Sequence, residues 1–312
     1  MHTTANSALL IRSEVWSNEL KEILRDELAA MQYVDWMTDF PDGDTFTIPS
    51  IGVADVDDYQ EDEDIVFRPL DTGEFQFTIT EYLSSGIYIT RKAEQDLFYA
   101  NQLMSRFVPE EERAIMVRLE GDILKVGPDG QTAANTNDIN GQKHRFVGTG
   151  TSNVIAIEDF ARARLSLKKA NVPDTNLIAI VDPSVEFTVN TTTNLVNVSN
   201  NPRWEGIVSD GIASGMKFVK NVYGFDVWES NHLKINAAET LATKAILGHA
   251  NNLFFSAAPG VSPFKGAWRQ MPVVDTEFNM KKQRTEFVTT ARYGLALFRP
   301  ENLIVIPTQT SV

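Results

Sequence analysis

The sequence has no cysteine among its 312 residues. Disulfide bonds, thiolate catalysis and cysteine-ligated zinc are therefore excluded. Long apolar segments are also missing, because no run approaches the roughly 18 apolar residues that a membrane-spanning helix requires. The first residues carry no basic patch followed by an apolar run, so we expect no secretory signal. The sequence gives no reason to expect a membrane as a partner.

Positive charge is scarce. Lys and Arg number 28 against 42 Asp and Glu, which gives a net charge of −14. No lysine occurs between Lys21 and Lys92. Surfaces that bind nucleic acid neutralise phosphates with clustered Lys and Arg, so this charge balance argues against a surface built for that purpose. A negatively charged wall can still enclose nucleic acid.

Motifs of known enzymes and cofactor sites are absent as well. The sequence has four histidines: His2, His144, His232 and His249. Their spacing matches no helical metal site, and no G-x-S-x-G segment supplies a serine nucleophile. The segment "GTGTS" (Gly148–Ser152) lacks the third glycine and the lysine of phosphate-binding loops, so it predicts a flexible turn. We expect no catalytic residue, no cofactor and no metal site.

A dense acidic cluster is the most unusual feature that is present. Seven of the ten residues in "DVDDYQEDED" (Asp55–Asp64) are acidic. Read as an EF-hand loop, the segment puts Tyr59 at a ligand position and Gln60 where glycine is required, so it fails. A loose calcium site is one remaining hypothesis. An acidic tip that faces solvent or a partner is the favoured one.

Two alternating segments flank this cluster. In the first, Phe46 and Ile48 alternate with threonines, and in the second Phe75, Phe77 and Ile79 alternate with polar residues. A period of two predicts strands with one apolar face each. An isolated two-stranded ribbon is marginally stable in water, so we expect this ribbon to need a partner surface.

Helical periodicity is found on both sides of the ribbon. Ser13–Ala30 predicts an amphipathic helix, and Thr90–Val126 predicts a long helix with a kink or break near Pro109 that Gly127 and Pro128 end. A polar loop follows to residue 153. The segments "AIEDFARARLSLKKANV" and "NLIAIVDPS" then predict a helix and a buried strand, and the tail alternates through two or three strands.

Two basic groups stand out, "RARLSLKK" (Arg162–Lys169) and "KKQR" (Lys281–Arg284). Each is either an ordinary solvated face or a surface that meets carboxylates of a neighbouring copy. The sequence alone leaves both interpretations open.

The order of these elements resembles the major capsid protein of tailed bacteriophages, which has the HK97-type shell fold. The segments that carry the resemblance are "SSGIYITRKAEQDLFYANQ", "ARARLSLKKANVPDTNLIAIVDPS", "GFDVWESNHL" and "ARYGLALFRPENLIVI". The resemblance implies an α+β fold with the following parts: an N-terminal arm with an amphipathic helix at 1–43, an extended β-ribbon loop at 44–89, a peripheral domain with a spine helix at 90–151 and 268–289, and an axial domain at 152–267 and 290–312.

The resemblance also implies a function. Such proteins have no catalytic site, and they assemble in the host bacterial cytoplasm, as pentamers and hexamers, into the icosahedral shell of a virion around double-stranded DNA. Two departures matter. The ribbon has no lysine, so an isopeptide crosslink there is not expected. Only a short arm precedes the ribbon, so we expect either a separate scaffolding protein besides the portal or a sequence from which that segment is missing.

We expect the ribbon and one basic group to contact neighbouring subunits. The candidate contact residues are Phe46, Ile48, Asp57, Asp58, Glu61, Asp62, Glu63, Asp64, Arg68, Phe75, Phe77, Ile79, Arg162, Arg164, Lys168 and Lys169. Two alternatives remain at this stage. One keeps the fold in an encapsulin-type nanocompartment that encloses proteins, and the other is an unrelated soluble enzyme or binding module that uses carboxylates.

Overall fold

The computed structural model describes residues 28, 30–37, 45–52, 56, 58, 61, 64, 69, 72–96, 100–191 and 221–310. The predicted amphipathic helix Ser13–Ala30 lies outside the described residues, apart from residues 28 and 30. Within the described ranges, no helix combines the length and the apolar character needed to cross a bilayer.

The described elements follow in chain order. They are a 3₁₀ turn Ala30–Tyr33, β1 Val34–Met37, β2 Thr45–Ile51, β3 Thr72–Thr78, β4 Glu81–Thr90, α1 Arg91–Asp96, α2 Ala100–Gly130, β5 Asp138–Ile139, β6 Gln142–Lys143, a 3₁₀ turn Thr151–Asn153, α3 Ile157–Lys169, β7 Leu177–Val181, α4 Pro183–Thr191, β8 Asn221–Val222, β9 Phe225–Glu229, β10 Thr240–Leu241, β11 Lys244–Ala245, β12 His249–Ser256, β13 Phe264–Asn279, β14 Arg284–Leu297, a 3₁₀ turn Pro300–Asn302 and β15 Leu303–Gln309.

Two larger sheets organise these elements. The first has four strands in the order β1-β13-β14-β4, with β1 parallel to β13 and the other pairs antiparallel. The second has five strands in the order β15-β12-β7-β9-β8, in which only the β7–β9 pair is parallel among the described strands. The ribbon β2–β3 and two short hairpins complete the described strands.

Helix α2 packs across the four-stranded sheet. Its apolar side chains Leu119 and Ile123 belong to the same buried cluster as Tyr293 of β14, and the partly buried Leu83 of β4 packs against that cluster. The Tyr293 hydroxyl donates to Asp122 at 2.7 Å. Burial and this hydrogen bond raise the pKa of the Tyr293 phenol. The helix therefore covers one face of the sheet.

The predicted end of this helix is wrong. The helix runs through Pro109 without a break and continues past Gly127 and Pro128 to Gly130. A Cβ at Gly127 would lie 2.6 Å from Cδ2 of Leu303, so this glycine allows close packing on β15. Gly127 does not act as a helix stop, since the helix continues to Gly130. The sequence could not separate the two roles, because a close approach and a stop both favour glycine.

The five-stranded sheet contains the other core. The rings of Phe160, Phe225 and Phe254 pack edge to face with centroids 5.2–6.5 Å apart. Helix α3 and the buried strand β7 confirm the helix and the strand predicted from the two segments in this region.

The start of α3 closes the loop before it. The buried Asp159 carboxylate accepts from the backbone N–H of Thr149 at 3.0 Å and of Ala156 at 2.8 Å. A Cβ at Gly148 or Gly150 would lie 2.6–2.8 Å from backbone oxygens of this loop. The glycines of "GTGTS" therefore serve close backbone packing.

Candidate assembly surface

The ribbon is more firmly attached to its own chain than the sequence predicted. Strands β2 and β3 pair antiparallel, with Ile48 opposite Phe75. Phe77 is fully buried and Ile79 is 5% exposed, and both pack against Ala267 of β13. The Phe75 ring is half-buried and meets the ring of Phe298 edge to face at 5.1 Å.

These contacts correct part of the contact hypothesis. Phe77 and Ile79 are already covered by the same chain, so they are not available to a neighbour. The alternation correctly predicted one apolar face, but a periodic pattern does not identify what that face packs on. Phe75 and Ile48 keep part of their surface exposed, and the Phe46 side chain lies outside the described residues.

The acidic cluster is exposed wherever it is described. Asp58, Glu61 and Asp64 are solvent-exposed, and the neighbouring Val56 is 94% exposed. The other candidates of this segment lie outside the described residues: Asp57, Asp62, Glu63 and Arg68. Within the described part of the chain, no group of three or more acidic or histidine side chains could hold a metal ion.

Two cations of the first basic group pair with a carboxylate of their own chain. Arg164 and Lys168 approach the carboxylate of Asp174 at 2.6 and 2.8 Å. Hydrogen bonds from Arg164 and then from Lys168 lower the pKa of Asp174 to about 2. The Arg162 guanidinium stacks over the Phe146 ring at 4.1 Å. Lys169 is exposed, and its carbonyl accepts from Asn140.

The second basic group lies at the turn between β13 and β14. Lys281 and Lys282 are exposed, and their backbone N–H groups donate to the Asn279 side chain at 3.1 and 3.2 Å. Arg284 donates to Glu286 at 2.5 Å and lies over the ring of Tyr88 at 4.3 Å. The turn therefore presents two lysines at the end of the longest hairpin.

The outer face of the four-stranded sheet was missed by the sequence interpretation. We define the outer face as the side opposite α2. Tyr82 and Val288 are 63% and 37% exposed, and Val273 of β13 is 44% exposed. Met271, which is 67% exposed, lies at a register shift of β13 beside this face. The polar alternation in β4 and β14 was the sequence signal for this face, because residues paired across neighbouring strands lie on the same face of a sheet.

Two irregularities in β13 shape this face. The register between β13 and β14 shifts between Trp268 and Gln270, and again between Gln270 and Val273. Beside them lies a hollow of about 620 Å³. It is lined by Thr80, Tyr82, Arg269, Gln270 and Arg292. Bulges redirect side chains and often lie near functional surfaces.

The described histidines form no site. His144 is buried, with Nδ1 3.0 Å from the carbonyl of Asn137, and burial lowers its pKa. His249 contacts Leu247 and Asn153. His2 lies outside the described residues.

Comparisons with known proteins identify the fold. No protein-family model matches the chain, and no curated protein matches it. Solved structures do match over nearly the whole chain. The capsid structure of cyanophage P-SCSP1u matches with a TM-score of 0.73 at 16% identity, covering 99% of this chain and 96% of that one.

Two further capsid structures are similar to a comparable degree. The capsid asymmetric unit of cyanophage Pam1 matches with a TM-score of 0.73 at 14% identity, covering 99% of this chain and 98% of that one. The mature capsid of bacteriophage PhiM1 matches at 0.69 and 12% identity, covering 99% and 95%. The chain therefore has the α+β, HK97-like fold of phage capsid shells.

Proposed function

We propose that this chain is the major capsid protein of a tailed bacteriophage and that its copies assemble into a closed icosahedral shell around double-stranded DNA. The observation that carries the proposal is the agreement in fold with phage capsids over 99% of the chain. In this proposal the protein is structural and has no catalytic role. The shell is the capsid of a virion, assembled from pentamers and hexamers in the host bacterial cytoplasm.

Electron microscopy of the purified protein tests this function. We expect closed icosahedral particles of megadalton mass by light scattering. A species that stays at 34.8 kDa or forms only a small oligomer would contradict the proposal. Particles that contain cargo protein and no DNA would instead support the encapsulin-type nanocompartment, which the phage capsids among the matched structures do not favour.

Within this function we propose the division into an arm at 1–43, a ribbon loop at 44–89, a peripheral domain at 90–151 and 268–289, and an axial domain at 152–267 and 290–312. The four-stranded sheet with α2 supports the peripheral domain, and the five-stranded sheet supports the axial domain. Strand β14 runs unbroken through the proposed boundary between 289 and 290, so the four-stranded sheet includes residues of both ranges.

The ribbon is the proposed bridge between copies. Phe77 and Ile79 hold its base on the parent chain, which leaves the acidic tip to reach outward. Arg164 and Lys168 are weaker partners for this tip, because both already pair with the carboxylate of Asp174. The turn with Lys281 and Lys282 is the better partner on a neighbouring copy. Exposed ion pairs contribute only about 0–1 kcal/mol each, so their role is to set register.

Charge substitutions test the bridge. The variant Asp58→Asn, Glu61→Gln, Asp64→Asn removes three tip charges. We expect fewer closed shells, while the stability of the unassembled subunit stays unchanged. A matched control removes three exposed carboxylates elsewhere, by Glu94→Gln, Glu112→Gln and Glu158→Gln. The variant Lys281→Glu, Lys282→Glu should fail alone and recover when the three tip residues are changed to lysine. Absence of this recovery would reject the pairing.

The packaged genome makes no sequence-specific contact in this proposal. The net charge of −14 supports a wall that contains DNA and does not bind it tightly. A scaffolding protein and a portal are proposed as separate partners. Deletion of residues 54–72 is expected to leave a folded subunit that no longer closes shells. Normal shells from this deletion would reject a bridging role for the ribbon.

A further inference from the structure

A buried carboxylate on α2 holds the start of the first described segment. Both oxygens of Glu120 accept from the backbone N–H of Ala30 at 3.0 Å. Glu120 and Ala30 are each 1% exposed, although they lie 90 residues apart in the sequence. The bond therefore joins the first residue of the 3₁₀ turn Ala30–Tyr33 to the long helix.

The segment Ala30–Met37, which we call the strap, also contacts both large sheets. On the five-stranded sheet, the Tyr33 ring meets Phe255 of β12 at 5.5 Å. On the four-stranded sheet, Trp36 stacks on Trp268 at 5.2 Å and β1 pairs with β13. The strap therefore joins α2, β12 and β13.

The packing of the strap is tight. The Ser262 hydroxyl donates to the carbonyl of Tyr33 at 2.5 Å, and Lys265 pairs with Asp35 at 3.2 Å. A Cβ at Gly266 would lie 2.7 Å from the ring of Trp36, so only glycine fits beneath this ring without a shift. These contacts fix the part of the strap after Tyr33. Glu120 acts on its first residue.

Burial of a carboxylate is unfavourable unless hydrogen bonds compensate the lost hydration. The first N–H groups of a helical turn have no partner within that turn. Ala30 begins a 3₁₀ turn, so its N–H needs an acceptor from elsewhere, and Glu120 supplies one from α2. The bond therefore satisfies the Ala30 N–H and gives the Glu120 carboxylate one of the hydrogen bonds that its burial requires.

We propose that Glu120 is a positioning residue that fixes Ala30, the first residue of the strap, and that the strap keeps this residue aligned with both sheets. In the proposed capsid function, Ala30 is then a fixed point of attachment for the sequence that precedes it. The anchoring of the strap does not depend on that function, because it involves contacts within one chain.

Hydrogen exchange on the unassembled subunit tests the anchor. A bond to an ionised acceptor is stronger than a bond to a neutral one. Glu120→Ala should therefore raise exchange in peptides that cover residues 30–37 by roughly tenfold or more, and Glu120→Gln, which keeps one acceptor oxygen, by a smaller factor. Glu112→Ala removes an exposed carboxylate from the same helix and should leave exchange at 30–37 unchanged.

A graded increase confined to the strap, with exchange in β14 unchanged, supports the anchor. Equal increases along the whole chain, or no increase at 30–37, would overturn it. If Glu120→Ala does not fold, Glu120→Gln decides by the same selective increase. Shell formation is scored separately. A wild-type chain that forms no shells rejects the capsid function, while the exchange pattern still decides whether Glu120 anchors the strap.

Discussion

The two large sheets differ in how completely one chain buries them. Every residue of β7 and β12 is buried, and so are all but the last residue of β15. In β4 of the four-stranded sheet, exposed residues alternate with less exposed ones along almost the whole strand. Strands β7, β12 and β15 of the five-stranded sheet are therefore buried within one subunit, whereas β9 keeps exposed residues. The four-stranded sheet has α2 on one face. On its outer face the ribbon base covers Ala267, while Tyr82, Val273 and Val288 stay exposed, and under the proposed function this exposed part is a candidate contact between copies.

The buried polar side chains of β12 also find their hydrogen-bond partners within the same chain. Asn252 of β12 donates to the carbonyl of Ile306 at 2.9 Å and to the Thr308 hydroxyl at 2.7 Å, and it accepts from the Asp182 N–H at 2.9 Å. Asn251 and Asn236 exchange two hydrogen bonds of 3.1 Å. Buried polar groups need such partners, and the same chain supplies these.

A matched pair of phenylalanines gives the largest expected difference between the sheets. Phe254→Ala in β12 removes a fully buried ring and should lower the free energy of unfolding by about 3–5 kcal/mol. Phe278→Ala in β13 truncates a ring that is 39% exposed, and its cost should be clearly smaller. Urea denaturation of unassembled subunits measures both. Equal losses would contradict the contrast.

A glycine of β14 tests how firmly the base of the ribbon is attached to the four-stranded sheet. A Cβ at Gly294 of β14 would lie 2.8 Å from the carbonyl oxygen of Thr78 and 2.9 Å from Cα of Ile79. Backbone atoms cannot yield as a side-chain end can, so Gly294→Ala should destabilise by about 1–3 kcal/mol. It should also raise hydrogen exchange at the ribbon base. Gly121→Ala is the control, because a Cβ added at Gly121 would meet nothing within 4 Å.

The ion pair at Asp174 gives a smaller, pH-dependent effect. Its folded-state pKa of about 2 is below the ordinary value, so its contribution is present above about pH 4 and is lost as the pH falls toward 2. The side chain is 30% exposed, and Asp174→Asn should therefore lower stability at pH 7 by less than about 1 kcal/mol. The difference from wild type should disappear in acid. A difference that stays undiminished well below the folded-state pKa of Asp174 would exclude the charge as its cause.

Local periodicity predicted the elements of this fold but not their long-range partners. The alternating ribbon, helix α3 and strand β7 follow from spacing alone. The burial of Phe77 does not, because the same pattern fits a neighbouring subunit or the parent chain. Arg145 is another example. It is 1% exposed and pairs with Glu239 at 2.7 Å, a partner 94 residues away that no motif indicates.

The smallest effect on the subunit is expected at the outer face, where the effect on assembly should be the most selective. Met271→Gln with Val288→Thr makes exposed apolar positions polar, and the free energy of unfolding should change by no more than about 0.5 kcal/mol per substitution. The yield of closed shells should fall, because apolar area buried between copies contributes about 25 cal/mol per Å² in every contact of the shell.

A control substitution on α3, beside the five-stranded sheet, separates this effect from a general loss of apolar surface. Leu165→Gln changes a side chain of α3 that is 47% exposed. Its subunit stability and its shell yield, counted by electron microscopy, should both stay near wild type. If Leu165→Gln reduces the yield as much as the outer-face variant, or if neither variant reduces it, the uncovered sheet face is not what the copies recognise in each other.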